Sequence, residues 1–112
     1  MDTPLIELLA QCIGFQWDDG NAPKLLARHN VTPGECEQAF FIEPFVVVPD
    51  DRHSADERRW QALGQTGRGR SLFLVFTIRG TMIRVIAARD MNRKERNAYG
   101  EIKARIEKDS EV

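Results

Sequence analysis

The sequence predicts an α+β fold in a single domain: N-terminal helices, an antiparallel β-meander and a C-terminal helix in one compact layer arrangement. Three observations carry this. Apolar residues recur at helical spacing before Pro44 and again after Asn92, and residues 45–89 switch to β-branched, alternating or continuously apolar runs. Turn and cap clusters separate the elements.

Thr3-Pro4 opens a first helix with Leu5, Leu8, Leu9 and Cys12 on one stripe. Phe15-Gln16-Trp17 alternates like a short strand, and Asp18-Asp19-Gly20-Asn21 is a turn or cap cluster. A second helix runs from Ala22 to His29, with Ala22, Leu25, Leu26 and His29 on one face. Thr32-Pro33-Gly34-Glu35 fits a capping box for a third helix, which turns Cys36, Ala39 and Phe40 inward and ends near Glu43-Pro44. Strands follow at Phe45–Val48, Arg59–Gln65 and Leu72–Phe76, the last apolar on both faces and therefore central. Arg79-Gly80 serves as a two-residue hairpin loop into Met82–Arg89, a register that sets Phe76 opposite Ile83 and Val75 opposite Arg84. One face then carries Leu72, Leu74, Phe76, Ile78, Ile83, Val85 and Ala87, and the other mixes Arg84 into apolar surroundings. Asn92-Arg93-Lys94-Glu95 is a second capping box, starting a helix with Ala98, Tyr99, Ile102 and Ile106 along one side.

With 112 residues, 42% hydrophobic and 29% charged, the chain has the composition of one globular domain rather than a disordered segment. It contains no run long enough to span a bilayer and no basic signal-like start, so a cytoplasmic protein is expected. Cys12 and Cys36 read as reduced thiols. The net charge of −1 conceals a strong asymmetry. Residues 1–51 hold 2 basic and 9 acidic residues, residues 52–96 hold 11 and 4, and residues 97–112 hold 3 and 4. Ten of the eleven cations in the middle block are arginines, whose planar fork suits phosphate. A polyanion partner is one reading; pairing with the acidic first half is the other.

Arg84 is the sharpest signal, because a guanidinium in mid-strand must find an anion. An RNA phosphate would serve, as would an internal acid such as Asp50, Asp51 or Glu57. Arg89 ends the same strand, and Arg93, Lys94 and Arg96 open the last helix, whose N-terminus adds partial positive charge. Trp17 and Tyr99 have rings that suit either base stacking or core packing. Metal-free cleavage of RNA needs only a positioned 2′-hydroxyl, proton transfer and stabilisation of the phosphorane, the last being work for arginines. His53 has the ordinary pKa of a proton carrier, while His29 completes an apolar stripe and reads as a core-edge residue. Asp50-Asp51-x-His53 reads as turn capping, so neither metal nor other cofactor is expected. Residues 64–69, Gly-Gln-Thr-Gly-Arg-Gly, read as a hairpin loop.

Several of these residues together resemble the BrnT toxin family. They are Phe15-x-Trp17-Asp18, Asn21-x-x-Lys24, Arg28-His29-x-Val31, Asp51-x-His53-Ser54-x-x-Glu57-x-Arg59, Gly64, Gly69-Arg70, Val75-Phe76-Thr77-x-Arg79-Gly80, Ile83-Arg84-Val85-Ile86-x-Ala88-Arg89 and Arg93-x-Glu95-Arg96-x-x-Tyr99. The likeness covers residues 14–100, leaving residues 1–13 as a helical extension and 101–112 as the helix end and tail. It implies a RelE-like ribonuclease toxin of a type II toxin–antitoxin pair, cutting RNA without a metal and arresting growth. A small BrnA-like, DNA-binding antitoxin would neutralise it, and the two together would repress their operon, so that operator DNA is met only through the complex. Carried over by position, Arg84, Arg89, Arg59 and His53 are the candidate catalytic residues; Lys24, Arg70, Arg93, Lys94, Arg96, Trp17 and Tyr99 are candidate RNA contacts. A non-catalytic, antitoxin-binding co-repressor is the alternative. The nuclease reading expects these guanidinium groups to be left free of the chain's own carboxylates. Two departures stand out: Ala87 replaces a common serine, and Asn30 replaces a glycine at a helix end that Asn can still close in the left-handed conformation.

Overall fold

The computed structural model describes residues 4–50 and 57–110. Helix α1 (Leu5–Gln11) leads into strand β1 (Gly14–Phe15), then α2 (Ala22–His29) and α3 (Pro33–Phe41). Strands β2 (Val46–Pro49), β3 (Trp60–Gln65), β4 (Ser71–Arg79) and β5 (Met82–Asp90) follow, and α4 (Arg93–Ser110) closes the chain. The fold is α+β, as the periodicity predicts.

The helix boundaries come from local chemistry. Asn21 precedes α2 and its side-chain oxygen accepts from the Ala22 amide. Asn30 ends the helix at φ 54°, ψ 41°, the left-handed conformation expected of it. Thr32 and Glu35 form the capping box of α3, and Asn92 and Glu95 that of α4, with reciprocal bonds of 2.8 and 2.9 Å at the second.

The sheet has five strands in the order β1-β5-β4-β3-β2. Four form the antiparallel meander, but β1 adds to β5 in parallel, so the sheet is mixed rather than wholly antiparallel. Two paired residues are too few to announce their direction in sequence.

The β4–β5 register also differs from expectation. Arg79 pairs with Met82, so the loop is Gly80-Thr81 with Gly80 at φ 62°, the glycine-first arrangement of a two-residue hairpin. Thr77 therefore faces Arg84 and Phe76 faces Val85. The ladder then slips by one: Val75 pairs with Ala87, leaving Ile86 as the extra residue of a β-bulge. As a consequence Ala87, expected on the apolar face, is exposed on the other, and Ala88 turns into the core.

Leu72, Leu74, Phe76, Ile83, Val85, Ala88, Trp60 and Ala62 form the buried face, covered by Leu25, Val31, Cys36 and Ala39. Leu5, Leu8, Leu9 and Cys12 of the leading helix segment pack against this core as their spacing predicts. Phe76 is fully buried amid Phe40, Phe45 and Trp60, with ring centroids 5.0, 6.1 and 5.6 Å away. His29 departs from expectation: it is exposed, as is Leu26, because only Leu25 of α2 is buried against the sheet. Ala98 likewise faces outward, and Tyr99 is the buried residue of α4. Among the described residues no helix is long and apolar enough to cross a membrane.

Candidate functional site

The side of the sheet away from α2 and α3 carries Gln61, Leu63, Phe73, Val75, Arg84, Ala87 and Arg89, all less buried than their neighbours on the core side. Arg84 and Arg89 are five positions apart and would point to opposite faces of a regular strand. The bulge corrects the phase. Their cross-strand partners, Thr77 and Phe73, are four apart, so both guanidinium groups rise from the same face.

Neither is free of the chain's own acids, contrary to the expectation from sequence. Arg84 meets Asp18 end-on, Nη1 to Oδ2 at 2.8 Å and Nη2 to Oδ1 at 3.0 Å, and Nη1 also donates to Gln16 Oε1 at 3.2 Å. The acid that Arg84 meets is thus Asp18 rather than Asp50 or Glu57. The Gly20 amide donates to Asp18 Oδ1 at 2.8 Å. A Cβ at position 20 would lie 2.8 Å from Arg84 Nη2, so glycine is what lets the fork close on the carboxylate. The hydrogen bonds from Arg84 and from Gly20 hold the Asp18 carboxyl below the usual carboxylate range. Asn21, buried at 2% exposure, anchors this loop: it accepts from the Asp18 and Ala22 amides and donates to the carbonyls of Gln16 and Val85.

Arg89 meets Glu95 in the same end-on fashion at 2.7 and 3.0 Å, donates to the Asp90 carbonyl at 3.1 Å, and lies 4.1 Å from the centre of the Phe73 ring. Its hydrogen bonds to Glu95 lower that carboxyl's pKa. Glu95 therefore both caps α4 and holds Arg89.

In Arg84 and Arg89 alike, the Nη1–Nη2 edge is occupied, while Nε has no hydrogen-bond partner among the described residues. Each Nη2 also makes one bond where it has two protons to give. The edge formed by Nε and Nη2 is the second fork of a guanidinium, suited to a second anion.

Arg70 is different. Its Nε and Nη2 bind Asp90 at 2.7 and 3.2 Å, Nη1 binds Glu35 at 3.0 Å, and Nη1 and Nη2 donate to the carbonyls of Asn30 and His29. All five donors are used. Arg70 ties the end of α2, the start of α3 and the end of β5 together and has no edge to offer RNA.

Glu57 lies on Arg79 at 2.9 and 3.2 Å. The hydrogen bond from Arg79 first, then the charges of Arg79, Arg59 and Arg84, hold its carboxyl below the usual range. Arg59 is half-buried, and its carbonyl accepts from the Asp50 amide at 2.8 Å. His53 and Asp51 lie outside the described residues.

Lys24, Arg93 and Lys94 are exposed and make no hydrogen bond or ion pair among the described residues; Arg96, also exposed, donates to the Met91 carbonyl. Tyr99 is 3% exposed and its hydroxyl donates to the Pro44 carbonyl, so its ring is packing rather than a stacking surface. Trp17 is half-buried, its indole N–H donates to Glu37, and it stacks on Phe15 at 6.5 Å. In the sequence, Asp18 reads only as a turn residue and Glu95 only as a cap. The motif Phe15-x-Trp17-Asp18 contained the missing acid but not its partner.

Residues 17–95 match the family described as the ribonuclease toxin BrnT of type II toxin–antitoxin systems. The chain belongs to the BrnT family. The matched span contains both carboxylate–arginine pairs of the open face, together with Lys24, Glu57, Arg59 and Arg79. No curated relative matches the chain. Membership of a BrnT family makes the chain a ribonuclease toxin by class and implies an antitoxin as partner.

Proposed function

We propose that this BrnT protein cleaves RNA on the open face of the sheet, without a metal, and thereby arrests growth until a BrnA-like, DNA-binding antitoxin covers it. The single observation that supports this is the bulge at Ile86, which brings Arg84 and Arg89 to one face of the sheet, each with an Nε edge unoccupied among the described residues. A scissile phosphate would take these two edges. Asp18 and Glu95 then act as braces that fix each guanidinium before substrate arrives, lowering the cost of ordering it. Phe73 and Val75 between them offer an apolar floor for a ribose or base.

The nucleophile is the RNA's own 2′-hydroxyl. It attacks the adjacent phosphorus, its proton leaves to a base, and the 5′-oxygen departs with a proton, giving a 2′,3′-cyclic phosphate and a 5′-hydroxyl. Arginines stabilise the charge gathered on the phosphorane. In this reading Arg59 and Lys24 assist binding, Arg93, Lys94 and Arg96 extend the cationic surface, and His53, four positions before Glu57, carries the proton. Induced expression of the chain should arrest growth, and Arg84→Ala with Arg89→Ala should abolish the arrest while antitoxin binding persists. Arrest by the double variant would refute the assignment.

A second reading has one observation in its favour. Both arginines are already neutralised by carboxylates, which suits a non-catalytic module that binds its antitoxin and helps repress their operon. That reading expects no cleavage of RNA by the separated chain.

A further inference from the structure

The opposite side of the molecule carries a groove of about 260 Å³ lined by Leu9, Cys12, Ile13, Phe15, Phe40, Phe41, Phe45 and Ile83. Ile13 and Phe41, which line it, are 82% and 78% exposed. Such a cluster of large exposed apolar side chains marks an interaction surface. Ile83 points to the helix-covered side of the sheet, so the groove and the Arg84–Arg89 face lie back to back.

The charge around the groove is one-sided. The two segments that form all of it except Ile83, residues 4–15 and 33–49, contain Glu7, Glu35, Glu37 and Glu43 and no Lys, Arg or His. Glu35 is taken by Arg70 and Glu37 accepts from Trp17, while Glu7 and Glu43 are exposed. Lys103, which lines an adjoining hollow with Glu43, donates to Gln65.

We propose that this groove anchors a basic amphipathic helix of the antitoxin, its apolar stripe on Phe41, Ile13 and the groove floor and its Lys or Arg residues beside Glu7 and Glu43. The occupant is inferred from the acidic lining segments, which hold no basic residue and leave Glu7 and Glu43 exposed, while Lys103 beside Glu43 is engaged by Gln65; an acidic segment suited to the arginine face would be repelled here. Because the groove lies behind the sheet, a helix seated in it leaves Arg84 and Arg89 uncovered, so neutralisation requires a further antitoxin segment. Leu9, Cys12 and Ile13 belong to the leading extension, which thus supplies three of the nine residues lining the groove and would help set which antitoxin this chain accepts. The proposal rests on the toxin–antitoxin assignment and not on the RNA chemistry.

The test is titration of the full chain with its antitoxin, using wild type, an Ile13→Ser/Phe41→Ser variant, a Glu7→Lys/Glu43→Lys variant and an Arg84→Gln/Arg89→Gln variant. The serine variant should bind at least tenfold more weakly with an unchanged melting temperature, since both sites are exposed. Charge reversal should weaken binding at low salt and matter less at high salt. The arginine variant should keep most of its affinity. Unchanged binding by the first two variants, with tight binding by wild type, overturns the anchor alone. Failure of the antitoxin to bind wild type overturns the pairing and the anchor together. A free-chain dimer that the serine variant converts to monomer assigns the groove to a second copy and also overturns the proposal.

Discussion

Arg84 and Asp18, 66 positions apart in the chain, meet through two parallel hydrogen bonds that join β5 to the loop before α2. The guanidinium is largely covered, its side chain 12% exposed, whereas the carboxylate is 53% exposed. The acid is thus the more exposed partner, and it fixes the direction in which the guanidinium lies.

Gly20 gives a way to disturb that pair without removing either partner. Gly20→Ala would press a methyl group against Arg84 Nη2 and Asp18 Oδ1, at 2.8 and 3.0 Å. Gly20 is not among the positive-φ residues, so its backbone tolerates alanine, and the flexible tip of Arg84 can move aside. The expected result is a stability change within about 1 kcal/mol by urea denaturation, with RNA affinity reduced severalfold in the same preparation.

Arg70→Ala should do the reverse. It leaves Glu35, Asp90 and two carbonyl groups without their shared donor, at a side chain 25% exposed. A loss of about 1–3 kcal/mol is expected from charge-assisted bonds at a partly solvated site. RNA affinity measured well below the melting temperature should be unchanged, because no edge of Arg70 is available to substrate.

Acid should weaken the fold through the same carboxylates. Arg89 lowers the pKa of Glu95, Arg84 that of Asp18 and Arg79 that of Glu57. A carboxyl with a lower pKa in the folded chain takes up its proton more readily when unfolded. Its stabilising effect is complete above the unfolded value of about 4 and is lost as pH falls through the folded value. Urea midpoints measured from pH 7 down to pH 3 should fall over the acid end of that range, and Glu95→Gln should show a shallower fall.

Phe76→Ala tests the core that supports the site. A fully buried phenylalanine among three aromatic rings should cost about 3–5 kcal/mol on truncation. The midpoint of unfolding checks it.

Much of the fold was legible because local chemistry determined it. Asn21, Thr32 and Asn92 announce helix starts, Asn30 announces an end, and the run Leu72–Phe76 announces a central strand. What was not legible depends on contacts between distant segments. Ile86-Ala87-Ala88 reads as small and apolar in either phase, so nothing in it marks the bulge that reverses Ala87, Ala88 and Arg89. Arg79-Gly80 and Gly80-Thr81 both place a glycine in the turn, and the choice follows from Arg79 continuing the strand to reach Glu57. The arginines were recognisable as the chemistry of the site. Their partners were not, since Asp18 and Arg84 meet only after β1, β5 and the loop before α2 have assembled. Arg70 and Arg84 look alike in sequence; only the number of donors each has left separates a clasp from a candidate ligand group.

The most direct measurement is cleavage of a single-stranded RNA by the chain separated from its antitoxin, in the presence of EDTA, beside an Arg84→Gln/Arg89→Gln variant of matched stability. Wild type should give a cyclic-phosphate product that persists in EDTA, and the variant a rate at least 100-fold lower, an effect of about 3 kcal/mol on the transition state. Equal cleavage by the two proteins, or none by the wild-type chain, would contradict the assignment.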